Sequence, residues 1–392
     1  MKKFYYITKT NLSSDRANVY NTLKTCESIS EIEAFHVTLV TTDRLYSKSK
    51  LAEILTDYSI KENFSVHCLS TYGFPLLSSG RHLWARIALA WQNISLLFYV
   101  IRKRNDIDLI YFRDPFIFLP IFFAKKILRI PVFFEIHAEL KNKMSQSLNN
   151  ILSRISTGNI TITHALENYY RGNNSSISTV FCAAAEPERF DKINLSTKEL
   201  RQKLSLPSDK FLLGYAGVLD RTGNNDPYGV EEIIHGVSRL PEETIFIGIG
   251  KRGNKKNYLE KLSEDLQIPD RIHILERVPK KNVAEYLSAC DILLIPPGGG
   301  RIGNSPTKIF EYLVSGKPII AANTAPIREI LQHKKNALLI DHKSPQAWAD
   351  AVKELRDNPL LVTQLIKRAR EDAQLYTWRA RANQIFIFIK SS

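Results

Sequence analysis

The sequence predicts an α/β protein made of two doubly wound, parallel-sheet domains, and three observations carry that expectation. The chain has 392 residues, more than one hydrophobic core usually supports. Its opening reads strand, helix, strand, and short apolar runs followed by amphipathic stretches recur along its length. The stretch 291–329, DILLIPPGGGRIGNSPTKIFEYLVSGKPIIAANTAPIRE, reads in full as strand, glycine-rich loop, helix and strand.

The elements follow in chain order. KFYYIT (3–8) is a first strand, and the polar loop KTNLSSD leads to a helix over 16–29 and a second strand, AFHVTLVTT (34–42). In a doubly wound sheet, ligands sit beyond the carboxyl ends of the strands, so the loop 10–15 belongs to the ligand side. RHLWARIALAWQNISLLFYVIRKRN (81–105) is a long helix with basic residues at both ends, and FIFLPIFFAKKILRI (116–130) is a second apolar segment. Both are read either as core helices flanking a sheet or as an interfacial surface that meets lipid. Gln92, Asn93 and Ser95 exclude a comfortable membrane span. Between these segments, DLIYFRDP (108–115) is a strand ending in Arg113 and Asp114. PVFFEIHAEL (131–140) is another, ending in Glu135, His137 and Glu139.

GNITITHALENYY (158–170) is strand then helix, and the first domain is expected to close at 190. A connecting helix spans 196–206, and KFLLGYAGVLD (210–220) opens the second domain, expected over 191–375. TIFIGIGKRG (244–253) and RIHILERVPKKNVAEYLSACDILLIPP (271–297) continue its strands. Two amphipathic helices fill 344–373, and a terminal helix covers 376–392.

The helix 306–315 carries the functional signal. Ser305 suits the N-cap, Pro306 the first helical position, and Gly316 the stop. Ile309, Phe310, Leu313 and Val314 share one face; Lys308, Glu311, Tyr312 and Ser315 share the other, which is expected to be the polar one. A helix start behind a glycine loop favours a phosphate, and Glu311 lies about 7 Å further along the axis. That span fits a nucleoside diphosphate, with a carboxylate accepting from ribose hydroxyls. Asn304, Ser305, Thr307 and Lys308 therefore join Glu311 as candidate donor-binding residues.

Composition sets the outer bounds. Hydrophobic residues make up 44% and charged residues 24%, as in ordinary globular proteins. Net charge is +14, and residues 1–190, with 23 basic and 16 acidic side chains, carry half of it. An excess so evenly spread argues against nucleic-acid binding and leaves an anionic substrate or membrane surface as its functional reading. Cys26, Cys68, Cys182 and Cys290 are scattered, with no metal-ligand spacing, and read as reduced thiols of a cytoplasmic protein. The apolar run near the N-terminus is too short for a signal-peptide core.

SPTKIFEYLVSGKPIIA (305–321) resembles the donor-site signature of the family-4 retaining glycosyltransferases, the group 1 type, which have the GT-B fold. The segment 271–297, the PERF at 187–190 and the YTW at 376–378 match the same pattern. The resemblance implies two Rossmann-like domains facing a cleft, with the terminal helix crossing back onto the first. It implies a nucleotide-sugar donor, retention of configuration and neither metal nor cofactor. The acceptor would be a glycan or a lipid-linked glycan in cell-surface polysaccharide synthesis, reached at the inner face of the membrane.

By that resemblance His137 lies near the transferred sugar, and the backbone around Val278 meets the base. Asp114 either faces the acceptor hydroxyl or pairs with Arg113. Where relatives carry an Arg and a Lys for the diphosphate, this chain has Val218 and Tyr228, so Arg221, Lys251 and Lys308 become the candidate cations. The first of the family's paired glutamates is replaced by Gly303. A nucleotide-sugar epimerase or hydrolase on the same fold, drawing on Asp114, Glu135 and Glu139, and a non-catalytic homologue acting as a partner are the alternatives.

Overall fold

The computed structural model describes residues 1–10, 12, 17–42, 48–69, 82–140, 142–219, 229–250, 258–275, 278–298 and 308–392. The chain forms two compact units, one of residues 1–182 with 378–392 and one of residues 183–377.

The first unit holds a sheet of β1 (Lys2–Ile7), β2 (Phe35–Thr41), β3 (Ser65–Cys68), β4 (Leu109–Phe112), β5 (Val132–Ile136), β6 (Gly158–Thr161) and β7 (Ile177–Thr179). Their order is β3-β2-β1-β4-β5-β6-β7, and every pairing is parallel. Central strands β4, β5 and β6 are buried at every position, which is why they read as unbroken apolar runs. Aromatic rings fill the core. Phe112 and Phe134 stack at 4.7 Å across β4 and β5, and Phe4, Tyr6 and Tyr111 gather beside them.

The helix Trp378–Ser391 is part of this core. It packs on the helix Ala17–Ser30, and Phe386 and Phe388 meet Phe35 and Phe133 edge to face. Its buried residues Trp378, Arg381, Ala382, Ile385 and Ile389 recur at helical spacing.

The second unit repeats the plan with β8 (Phe211–Ala216), β9 (Thr244–Ile249), β10 (Ile272–Leu275), β11 (Ile292–Ile295), β12 (Ile319–Ala322) and β13 (Leu338–Ile340). The order is β10-β9-β8-β11-β12-β13, again all parallel. Its core joins sheet residues such as Leu213, Phe246 and Ile292 to Ile233, Trp348 and Leu355 from the covering helices. In each sheet the strand order reverses once, between β1 and β4 and between β8 and β11.

The units divide at 182/183 and 377/378, where the sequence suggests 190/191 and 375/376. Residues 183–190 belong with the second unit because the helix Pro187–Asp191 packs on the helix Lys280–Ala289, and Arg189 Nη2 donates to the Lys280 carbonyl at 2.8 Å. At the carboxyl ends of β8 and β9 the two backbones lie against each other. Gly217 N donates to the Ile249 carbonyl at 2.8 Å, and a Cβ on Gly250, at φ 153°, would stand 1.7 Å from the Gly217 oxygen. Gly250→Ala is therefore expected to lower stability by about 3 kcal/mol through strain and overlap. Urea unfolding followed by circular dichroism reads it directly; an unchanged midpoint would contradict this packing.

Candidate functional site

In the second unit the helix Lys308–Val314 connects β11 to β12, beside the point where strand order reverses, and that is where doubly wound sheets take their ligands. Gly316 ends the helix at φ 72°, as its place in the sequence suggests, and a Cβ there would meet the Arg370 guanidinium at 2.3 Å. The expected polar face is corrected in part. Tyr312 is fully buried and Ser315 nearly so. Helix and sheet enclose Tyr312, whose Oη accepts a hydrogen bond from Ala216 N at 2.9 Å. This ties the helix to the end of β8.

Lys308 and Glu311 remain on the partly open side, one helical turn apart. Neither makes a hydrogen bond or ion pair with a described residue. Burial holds the Lys308 ammonium below its ordinary proton affinity, and Glu311 works against that shift. Lys280, at the first position of its helix, is pulled down to about 7 by burial, with Glu311 and Glu186 opposing and Arg189 and Lys308 reinforcing the fall. The structure thus adds Lys280 to the cluster of Lys308 and Glu311. Sequence reasoning passed over it because nothing in VPKK marks one lysine as buried.

Val278 precedes Lys280 in a half-buried, non-helical stretch. Val218, in the place of the family's arginine, is an exposed apolar side chain beyond β8. Asn304, Ser305, Thr307, Arg221 and Lys251, like Gly303 and Tyr228, lie outside the described residues.

In the first unit, Asp114 follows β4 and His137 follows β5, both on the carboxyl side of the sheet. Asp114 does not pair with Arg113. Its carboxylate is held by the end of β1: Oδ1 lies 3.8 Å from Lys9 Nζ, and Oδ2 accepts from Lys9 N at 3.4 Å and from the Thr8 hydroxyl at 3.5 Å. The Lys9 ammonium also sits 4.1 Å over the Phe116 ring. Asp114 stands nearer to Lys9 because β1 and β4 are direct neighbours in register.

Glu135 is the second correction. It is 2% exposed and cannot serve as an accessible acid or base, as the epimerase alternative requires. Its Oε2 accepts from Arg381 Nη2 at 2.8 Å and from the Tyr111 hydroxyl, and its Oε1 meets His137 Nε2 at 2.5 Å. Burial opposes ionisation here, but Arg381, His137 and the hydrogen bonds outweigh it, so the carboxyl is held well below the usual range. Arg381 is anchored by two further bonds, to the Phe181 carbonyl at 2.8 Å and Thr25 Oγ1 at 3.0 Å. Arg381 stands 246 residues from Glu135. Its only sequence signal is a charge on the otherwise apolar face of a helix.

Because Glu135 is ionised only in the folded pocket at low pH, the stability it contributes is present above the unfolded carboxyl value of 4.5 and drains away as pH falls below it. Between pH 7 and pH 3 the wild type should lose about 2 kcal/mol more than Glu135→Gln, the scale of one ion-paired carboxylate. Denaturant titrations at both values check this, and equal losses would refute it.

Residues 196–372, nearly all of the second unit, match the family described as glycosyl transferases group 1. The chain is similar to a D-inositol 3-phosphate glycosyltransferase of Corynebacterium urealyticum, 24% identical over 234 residues covering 58% of this chain and 54% of that one. It is similar to one of Corynebacterium glutamicum at 26% identity, covering 56% and 53%. The chain spans about half the length of these curated relatives. Among solved structures, Anabaena HepE in complex with UDP superposes with a TM-score of 0.73 at 15% identity over the whole of both chains. WaaG, a glycosyltransferase of lipopolysaccharide biosynthesis, gives 0.67 at 13%, over 99% of this chain and 100% of that one. The two parallel-sheet units have the GT-B fold, and the family match to the group 1 glycosyltransferases lies within residues 196–372.

Proposed function

We propose that this protein transfers a sugar from a nucleoside-diphosphate sugar to a glycan or lipid-linked acceptor, with retention of configuration and without a metal. The observation that carries the reading is the pair Lys308 and Glu311, a cation and a carboxylate that act on each other through space but make no hydrogen bond or ion pair with a described residue, inside the segment that matches the family. Charged groups kept partly out of water are ordinarily paired. A ligand with an anionic half and a hydroxyl-bearing half would satisfy both. In this reading residues 183–377 are the donor-binding domain and residues 1–182 with 378–392 the acceptor-side domain.

Glu311 holds the ribose hydroxyls, and the backbone at Val278 meets the base. Asn304, Ser305, Thr307 and Lys308 are assigned to the diphosphate, with Arg221 and Lys251 as further candidate cations. Departure of the nucleoside diphosphate builds negative charge on its phosphates, and preorganised N–H dipoles and ammonium groups stabilise that charge. His137 and Asp114 are assigned to the sugar and the acceptor hydroxyl. The neighbours solved with UDP and with UDP-glucose support this donor class.

Membrane contact belongs to the same proposal, with cell-surface glycan synthesis at the inner face of the membrane as its setting. The helices His82–Lys103 and Phe118–Lys126 pack together and expose Trp91, Ile94, Phe98, Leu119 and Phe122. Asn93 is not a surface residue but a staple between them. It donates to the Phe116 carbonyl at 2.8 Å and accepts from Leu119 N at 3.2 Å. Beside it is a hollow of about 390 Å³ with a largely apolar lining that includes Leu89, Ile94 and Phe118. Among the described residues no helix is long and apolar enough to cross a membrane. Of the three basic residues at 102–104, Lys103 is tied to Asp106 at 3.3 Å, which leaves Arg102 and Arg104 for a surface.

Three outcomes are expected. Glu311→Ala weakens binding of the nucleotide sugar by about 1.5–3 kcal/mol, the worth of hydrogen bonds to a charged group; calorimetric titration with UDP-glucose and other nucleotide sugars measures it, and unchanged affinity in a folded variant would remove Glu311 from the site. Transfer, followed by mass spectrometry of products, persists in EDTA; loss restored by magnesium or manganese would overturn metal independence. Reversing Arg102 and Arg104 to Glu releases the protein from anionic vesicles at low salt, at about 1 kcal/mol per charge removed. Wild-type protein that does not sediment with such vesicles would sink the membrane contact.

A further inference from the structure

Behind His137 lies a buried polar cluster of Glu135, Arg381 and Tyr111, and nothing in the transfer reading assigns it a task. Glu135 is buried and ionised, so both of its oxygens can only accept. His137 Nε2, at 2.5 Å from Oε1, must therefore carry the proton of that bond. In the neutral ring this leaves Nδ1 as the hydrogen-bond acceptor, on a side chain that is 30% exposed. The other carboxylate oxygen is fixed by Arg381 and Tyr111, and Arg381 is itself fixed by Phe181 and Thr25. Arg113 is a further charge among the described residues nearby, with Tyr6, Glu135 and Asp114 as its neighbours.

We propose that Glu135 and Arg381 are positioning residues for His137. The C-terminal helix, acting through a buried carboxylate, sets the ring's orientation and tautomer and presents Nδ1 to a substrate hydroxyl. The logic is that of a carboxylate behind a functional imidazole, where the second partner fixes which nitrogen faces the chemistry. What is particular here is the third member. The carboxylate is too deeply buried to stay ionised alone, and the guanidinium that keeps it so comes from the far end of the chain. The role in turnover rests on the transferase reading above; the geometry of the ring does not.

The test uses the full-length protein labelled with ¹⁵N-histidine, with His137→Gln to assign the signal among the nine histidines. In the wild type a ring N–H of His137 should be seen at Nε2, slow to exchange with solvent. The double variant Glu135→Leu/Arg381→Met replaces the ion pair by apolar groups of similar size, a change that buried pairs tolerate. It should stay folded, lose the protected N–H and lower kcat by on the order of 10–100-fold with KM for the nucleotide sugar unchanged. Glu135→Gln, nearly isosteric, should exchange the same proton faster, and Arg381→Lys, which keeps the charge, should recover most of the wild-type signal and rate. A protected Nε2–H that survives in Glu135→Gln or in the double variant overturns the proposal, as does kcat unchanged in both. A wild type that transfers no sugar from any donor refutes the function instead, and the resonance still decides the positioning.

Discussion

A carboxylate sealed inside a protein costs several kcal/mol unless a cation and hydrogen bonds replace the water it has lost. Glu135 meets that condition through Arg381, Tyr111 and His137, and the first unit is arranged around the need to bring them together. Tyr111 comes from the neighbouring strand, in parallel register with β5. Arg381 comes from a helix that reaches the sheet only after the whole second unit has been traversed, and the Phe35, Phe133, Phe386 and Phe388 contacts hold that helix in place. The apolar packing supplies the energy and the ion pair supplies the register. A helix displaced along its axis by one turn would keep an apolar face against the core but would separate Arg381 from Glu135 and leave both charges stranded.

The second unit treats its charges differently. Some structural polar groups there are answered within the protein by several bonds at once. Arg201, for example, donates to Asp291 at 2.7 Å and to the Ala289 and Lys210 carbonyls at 2.9 Å each, locking the helix Thr197–Lys203 to the sheet. Among the described residues, Lys308 and Glu311 have no hydrogen-bonding or ion-pairing answer of this kind. Lys280 stands in the same cluster with a proton affinity lowered to about 7. Two charge arrangements thus coexist among the described residues of one unit, one closed by hydrogen bonds and one coupled only through space, and the second lies beside the point where the strand order reverses.

Most of the architecture was legible in the sequence because parallel strands buried on both faces announce themselves as runs such as ILLI and FYYI, and because their stops are explicit. Pro296, Gly316 and Ser196 end or begin elements where local chemistry says they should; Ser196 completes a capping box with Glu199. The faces of the helix at 308–314 were less legible. A helix wedged between a sheet and the segment bearing Tyr376 buries more than one stripe, so Tyr312 turned inward despite its place beside Glu311. His137 and Asp114 could be placed at strand ends from sequence, but their partners could not. Lys9 reaches Asp114 by strand pairing and Arg381 reaches Glu135 by tertiary packing, and neither distance is written into local spacing. The unit boundary moved by eight residues for the same reason: the contacts of the helix Pro187–Asp191 with the helix Lys280–Ala289 are long-range.

The place of the terminal helix has a consequence for biosynthesis. On a ribosome the sheet of the first unit is complete after residue 182, yet one wall of its core and the counter-charge for Glu135 lie in residues 378–392. At about 5–20 residues per second the intervening 195 residues (183–377) take roughly 10–40 s to make. During that interval Phe35 and Phe133 lack their covering rings, and the Glu135 pocket is taken up by water or by a proton. The second unit, whose strands and helices are contiguous in the chain, has everything it needs as soon as it emerges. The order of synthesis and the order of completion are therefore opposite, and the half-built first unit is the species a chaperone would meet.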